Sequence, residues 1–450
     1  MMAFNGHGLS LWWGVPFLGL LITIALLPQI RPALWHRSTG KIAVFWILAL
    51  WVPAAIHFGL GAVVEQSRHV LILDYLPFLI LMGTLYIVAG GIRITGGLRD
   101  TPIANTGLLA LGTGLAGLIG TAGAAMLLIR PLLRANQARR HRTHLVVFFI
   151  ILVANVGGAL TPLGDPPLFL GFLQGVDFFW TVRHMALPMV LLSGALLVAF
   201  FLTDLWWYRR EPPSPEPVQP ESLGLEGWWQ VPLLGLVVLT VLLQGLWQPG
   251  ITVMLLGLPV SLQAVVAELV MVAVALLSLG LTGAEQRRSY GFRWAPVIDV
   301  AKLFGAVFMT MAPVLAILQA GPEGGAAGWM GGFAGGSGGG EAAVISPAAV
   351  FWTTGMLSSI LDNAPTYLVV FQAAGGHADS LMTEGASVLL AISTGAVFMG
   401  ANSYIGNAPN FMVKAIAEDQ GVAMPGFFGY SLWALVLLLP LYGLLTVLFF

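Results

Sequence analysis

The chain has 450 residues, 58% hydrophobic and only 9% charged, against roughly 25% charged in an average soluble protein. So few charges cannot cover a soluble fold of that size, whereas a bilayer solvates an apolar exterior. A net charge of -1 without a basic arm gives no footing for nucleic acid as a partner, and the absence of cysteine excludes disulfide frameworks, thiolate metal sites and iron–sulfur clusters.

Residues 1–12 hold no Lys or Arg, and no small-residue cleavage site follows the first apolar run. The N-terminus is therefore expected to be a retained span rather than a cleaved signal. A membrane crossing takes about 20 apolar residues. Uninterrupted candidates lie at 13–30, 42–64, 75–93, 184–203, 229–248, 262–281, 300–320 and 430–449. Two stretches, 144–180 and 385–418, are apolar but interrupted by Gly and Pro, and read as broken helices. Two more, 105–133 and 346–375, carry a small or polar break at the middle. Each is too long for one crossing and each half is too short, which predicts re-entrant hairpins.

The fold class expected is an all-α polytopic membrane protein of about ten full spans. Residues 1–203 form a first repeat and 229–450 a second. Between them, 204–228 is rich in Pro and Glu and reads as a disordered cytoplasmic linker. Residues 321–345 are a Gly-rich loop. No strand precedes that loop and no Lys-Ser/Thr follows, so it is a linker rather than a phosphate cradle.

Basic residues orient the chain, because cytoplasmic loops collect Lys and Arg. With the N-terminus outside and 105–133 returning to its own side, Arg31, Arg37, Lys41, Arg93, Arg99, Arg130, Arg134, Arg139, Arg140 and Arg142 fall inside. So do Arg209, Arg210, Arg287, Arg288 and Arg293, with Lys302 and Lys414 at inner ends. Only Arg68 and Arg183 of the 19 basic residues fall outside. A single crossing at 105–133 would invert every later loop and lose this bias.

The chain repeats itself. Residues 158–170 (GALTPLGDPPLFL) align without gaps on 400–412 (GANSYIGNAPNFM), sharing Gly-Ala-x-(Thr/Ser)-x-(Leu/Ile)-Gly-(Asp/Asn)-x-Pro-x-Phe. The offset of 242 residues also lays Thr121, in the break of the first hairpin, on Asn363, in the break of the second. An odd number of spans between the hairpins makes the two halves inverted, an architecture of secondary transporters.

Proline removes a backbone donor and stops a helix. The carbonyls and amides it frees are not satisfied by lipid, so they must meet protein, water or an ion. Around the breaks stand Asn155, Thr161, Asp165, Asn402, Ser403 and Asn407, and the hairpin tips add Thr121, Ser358, Asp362 and Asn363. Carboxylate, amide and hydroxyl oxygens are hard ligands for a small cation, with Asp165, Asp362, Asn155 and Asn407 the candidate Na⁺ ligands. Half-helix N-termini pointing inward suit an anion instead. Asp165 and Asp362 are the sharpest candidates, because an intramembrane carboxylate is costly and marks function. Glu268 lies in a span without a break nearby, and Arg130 and His144 border the inner face with no special claim.

At 154–180 (ANVGGALTPLGDPPLFLGFLQGVDFFW), 358–371 (SSILDNAPTYLVVF) and 395–418 (GAVFMGANSYIGNAPNFMVKAIAE) the chain resembles the ion-transporter superfamily. That superfamily includes NhaD-type sodium/proton antiporters, citrate and dicarboxylate transporters and ArsB-type arsenite permeases. The resemblance is nearest to the bacterial sodium:proton antiporter and citrate transporter branch. It implies a scaffold part and a moving transport part, a homodimer, and Na⁺ and H⁺ competing at Asp165 and Asp362. Dicarboxylate members carry Ser-Asn-Thr at each hairpin tip, where this chain has Gly-Thr-Ala and Asp-Asn-Ala-Pro.

The expected activity is secondary transport rather than catalysis, with no cofactor. Na⁺ (or Li⁺) would exchange for H⁺ across the inner (plasma) membrane. The rival is Na⁺- or H⁺-coupled uptake of citrate or another small carboxylate. A channel or a subunit of a larger complex needs no inverted pair of hairpins, and no Walker motif supports primary pumping.

Overall fold

A computed structural model describes residues 6–97, 99–211, 224–320 and 346–450. The chain begins with α1 (Val15–Ile30) and α2 (Pro32–Phe58). Gly59, at φ +87°, then breaks the path, and α3 runs unbroken over Leu60–Ala89. The crossings expected at 42–64 and 75–93 are thus divided differently. Gly59 tolerates the left-handed backbone that other residues resist, so the second helix stops there and the third begins early. Val70–Tyr75, inside α3, is a π-helical turn.

The first hairpin is α4 (Pro102–Ile119) and α5 (Thr121–Ala135), joined at Gly120 with φ +80°. Its first arm is an apolar helix of 18 residues, long enough to cross a bilayer, so the expectation that each arm is too short fails there. The first broken helix follows as α6 (Thr143–Leu152), a 3-10 turn at Val156–Ala159 and α7 (Pro166–Leu173). Asp177 caps α8 (Phe178–Tyr208) by accepting a hydrogen bond from the Phe179 N–H at 2.9 Å.

Residues 204–208, expected to open a disordered linker, are the last turns of α8. The end of that stretch is also ordered: Gly224–Glu226 pairs antiparallel with Arg93–Thr95 in a two-stranded ribbon. The middle of the linker and the Gly-rich loop 321–345 lie outside the described residues. The second half contains α9 (Gln230–Leu246), α10 (Leu262–Leu281), α11 (Ala284–Ser289) and α12 (Ala295–Gln319). Its hairpin is α13 (Pro347–Ile360) and α14 (Asn363–Ala373), followed by a short α15 (Ala378–Met382). Its broken helix is α16 (Ala386–Met399), a 3-10 turn at Gly400–Asn402 and α17 (Ala408–Asp419), before the final α18 (Phe427–Phe449).

Among the described residues eight helices are long and apolar enough to cross a membrane, with shorter apolar helices at Thr143–Ala159, Gln230–Leu246 and Ala386–Asn402. The outward face of the peripheral helices is apolar: Ile56 is 83% exposed and Val447 84%. Soluble monomers rarely show contiguous apolar faces beyond a few hundred Å². Helix α6, by contrast, is apolar all round and buried from Leu145 to Leu152, as a helix at the centre of a larger protein must be. The chain is an all-α multi-pass membrane protein, with the broken helices and hairpin arms at its centre.

Candidate functional site at the two helix breaks

Four half-helices begin at one place. Gly120 stands at the N-cap of α5, Asp165 of α7, Asp362 of α14 and Asn407 of α17. Prolines at 166, 365 and 409 fall in the first turns of three of them, where a missing N–H costs nothing. Helix α5 packs on α17, and α7 on α14, so each half contributes arms that interlock with the other.

Asp165 is at the centre and fully buried. Its Oδ1 accepts from the Thr121 hydroxyl at 3.2 Å and from Asn407 Nδ2 at 2.9 Å, and its Oδ2 accepts from Asn363 Nδ2. Asp165 and Asn407 are 242 residues apart, the same offset as the sequence repeat, and touch each other. Asn407 Nδ2 also donates to the Ala154 carbonyl at 3.1 Å. Beside it, Asn155 Nδ2 donates to Asn410 Oδ1 at 2.7 Å and to the Ile150 carbonyl at 2.8 Å.

Two acceptors at these breaks have no hydrogen-bond partner among the described residues: Asn155 Oδ1 and Asn363 Oδ1, both buried. A buried polar atom left unpaired costs about 1–3 kcal/mol. Asn363, bonded to Asp165 through its Nδ2, brings one of these amide oxygens next to the carboxylate, and carboxylate and amide oxygens suit a hard cation. The four helix N-termini each carry a positive partial charge of about half a unit, which favours negative charge on Asp165 or on a bound anion.

Close backbone approach builds this centre. A Cβ on Gly158 would lie 2.7 Å from Thr121 Cγ2 and 2.9 Å from Asp165 Cβ. The Thr121 N–H donates to the Gly164 carbonyl at 2.9 Å, and 242 residues on the Asn363 N–H donates to the Gly406 carbonyl at 3.1 Å. The Thr161 hydroxyl donates to the Gly117 carbonyl at 2.5 Å, and the Ser403 hydroxyl to the Ser359 carbonyl at 2.6 Å.

The candidate residues therefore fall into two groups. Thr121, Asp165, Asn363 and Asn407 meet in one hydrogen-bonded cluster, and Asn155 stands next to it in a separate pair with Asn410. Thr161, Ser358, Asn402 and Ser403 pin the breaks instead: Ser358 donates to the Ala396 carbonyl at 2.6 Å and Asn402 Nδ2 donates to Ser359 Oγ at 2.9 Å. Asp362 accepts from the Ala364 N–H at 3.1 Å as the cap of α14.

Sequence reasoning passed over three features. Asn410, inside the repeated motif, donates to the Gly400 and Ser403 carbonyls at 3.0 and 2.9 Å and holds Asn155. Its place one turn into a Pro-started helix, on the face of Asn407, was the available signal. Asp74 lies mid-helix on the π-helical turn of α3, in a small cavity with His69 and Gln174; π-turns concentrate at functional sites.

The third is a latch at the far end of the first hairpin. Buried Asp204 accepts from Arg139 Nη2 at 2.5 Å and Asn105 Nδ2 at 2.9 Å, and lies 2.8 Å from His144 Nε2. His144, expected to have no special place, and Asp204, expected in a linker, thus form one network that ties the ends of α4, α5, α6 and α8. Their partners lie 60 or more residues away, beyond any local pattern.

A family model described as "Putative citrate transport" matches residues 6–450. The chain belongs to this citrate-transport family. No curated protein matches it. Membership of the citrate-transport family, with the apolar multi-pass fold, makes the protein a transporter rather than an enzyme. It also makes a small carboxylate or ion its class of substrate.

Proposed function

We propose that this member of the citrate-transport family is a secondary transporter whose central site binds Na⁺ (or Li⁺) and H⁺ in competition at Asp165, exchanging one for the other by alternating access. The observation that carries this reading is a fully buried carboxylate, Asp165, bonded to Asn363, whose own buried Oδ1 is unpaired; a second unpaired oxygen, Asn155 Oδ1, lies on the residue next to Ala154, whose carbonyl Asn407 holds. A cation at Asp165 would give such unpaired oxygens the partner they lack. A proton on Asp165 would remove the charge that holds the cation, so the two ions exclude each other. Contact between Asp165 and its repeat equivalent Asn407 supports a site on the axis relating two inverted halves. Asp362, one residue from Asn363, adds negative charge at the rim. The working unit is a homodimer in the inner membrane, with the N-terminus outside.

The family favours a second reading, cation-coupled uptake of citrate. Four inward helix N-termini supply positive ends for a substrate carboxylate, and Asp165 would then hold the coupling ion. Antiport and Na⁺-coupled symport both require the cation, whereas H⁺-coupled symport does not. Ligand binding stabilises a fold by about 2.7 kcal/mol at a hundredfold excess over Kd. NaCl should therefore raise the melting temperature of the purified protein relative to choline chloride, and Asn155→Ala should weaken the response. No sodium-specific stabilisation of the wild type would remove the cation site. Stabilisation only when citrate is also present would favour symport.

A further inference from the structure

Along α5 from the helix breaks, a cleft of about 250 Å³ opens at the end of the molecule that the basic-residue bias assigns to the cytoplasm. One wall is the α5 face carrying Met126, Leu127, Arg130 and Arg134. The facing walls come from Arg93 at the strand ribbon, from Ser289 and Tyr290 at the end of α11, and from Gln420.

Three guanidinium groups line one cleft. Arg130 and Arg134 are four residues apart on one helix face, a spacing at which like charges repel. Each is held by a carbonyl: Arg130 Nη2 donates to Gly291 at 3.0 Å and Arg134 Nη2 to Ile94 at 2.9 Å. These bonds fix the guanidinium planes and leave further N–H donors free. Arg130 Nη1 is buried and has no hydrogen-bond partner among the described residues. Arg93 lies 5.9 Å over the Tyr290 ring. Two acidic residues stand near: Glu226 is the strand partner of Arg93, and Asp419 is paired with Arg293 at 3.8 Å, where both are well exposed.

A concave site with three arginines, two of them held by carbonyls, and one buried donor unpaired suits an acceptor carrying negative charge. Planar guanidinium forks match the oxygens of phosphate and carboxylate groups. The cleft also has an apolar wall from Met126 and Leu127 at the end of a lipid-embedded bundle. Basic pockets between helices on the cytoplasmic side suit phospholipid headgroups.

We propose that this cleft is an oxyanion site and that its occupant is the phosphate of an anionic phospholipid. It bridges α5, an arm of the first hairpin, to the strand ribbon and the segment before α12. A bound headgroup would therefore fasten the hairpin to the surrounding helices. The inference is independent of which substrate crosses the membrane.

The test uses the full-length protein. Thermal stability is measured in nanodiscs of phosphatidylcholine alone and with increasing phosphatidylglycerol, and in detergent with inorganic phosphate or citrate. Wild type, Arg134→Gln and the double variant Arg130→Gln/Arg134→Gln are compared. Phosphatidylglycerol should stabilise the wild type, with its apparent affinity falling about fivefold per arginine removed. If the double variant does not fold, Arg134→Gln alone decides, because Arg134 lies at the more accessible end. Arginine-dependent stabilisation by phosphate or citrate but not by the lipid would keep the oxyanion site and overturn the lipid as occupant. Equal responses of wild type and variants to all three anions would overturn the site itself.

Discussion

The breaks at 158–165 and 400–407 share a backbone and differ in charge. Both close through the same hydrogen bonds from hairpin tip to break, at 2.9 Å in one half and 3.1 Å in the other, and through a hydroxyl to the matching carbonyl. Yet the first break ends in Asp165 and the second in Asn407, while the first hairpin tip has Gly120 where the second has Asp362. The shared bonds make a cradle of helix N-termini, and the differences decide which atom in it carries charge. Structure at these breaks is duplicated, and chemistry is not.

The largest effect expected is from Asp165→Asn. The replacement is isosteric, but its amide would face the donors Asn363 Nδ2 and Asn407 Nδ2. Flux in proteoliposomes should fall to background at normal membrane insertion. Moving the carboxylate with Asp165→Asn/Asn407→Asp sharpens the comparison. If the two positions are equivalent by the repeat, the double variant should recover measurable flux over Asp165→Asn alone, and none would mean that the cradle is functionally one-sided.

The hairpins also differ at their far ends, because only the first is tied by the Asp204 latch. Removing one partner of a buried ion pair costs about 3–5 kcal/mol. Asp204→Ala should therefore lower the unfolding midpoint strongly, without changing the apparent Na⁺ affinity of protein that remains folded. Next in size are Gly164→Ala and Gly406→Ala. A Cβ would lie 2.2 Å from the Gly158 carbonyl oxygen in one and 2.5 Å from the Gly400 carbonyl oxygen in the other. Overpacking of this kind costs about 1–3 kcal/mol, and similar losses from both variants are expected in thermal melts. The smallest effect is Asp362→Asn, since Asn caps a helix as well as Asp does. Flux should drop modestly, whereas a loss as deep as that of Asp165→Asn would make Asp362 a second ion ligand.

The sequence makes the helix breaks and their register legible. Pro166, Pro409 and the glycines around them mark where helices must stop, and the repeat at 242 residues brings Thr121 and Asn363 into register. The division of roles was not readable. Thr161 and Asp165 look alike as polar residues at a break, and only the fold shows one bonded to a backbone carbonyl and the other to three side chains. Asp362 reads as a site carboxylate because it is an intramembrane carboxylate at a hairpin break, and the sequence does not show that it also accepts from the Ala364 N–H as a helix cap. Asp204, Arg139 and His144 could not be joined from sequence, since ion-pair partners far apart in the chain leave no periodic trace.

The central claim is that one buried carboxylate serves Na⁺ and H⁺ in turn. The direct measurement is luminal pH in proteoliposomes after an external Na⁺ pulse, without any organic anion, from neutral to mildly alkaline pH. Antiport predicts that the wild-type lumen becomes alkaline as Na⁺ enters and H⁺ leaves, that the apparent KM for Na⁺ rises as pH falls, and that Asp165→Asn vesicles stay flat. No Na⁺-dependent proton movement at any pH, with robust citrate accumulation by the same vesicles, would contradict it.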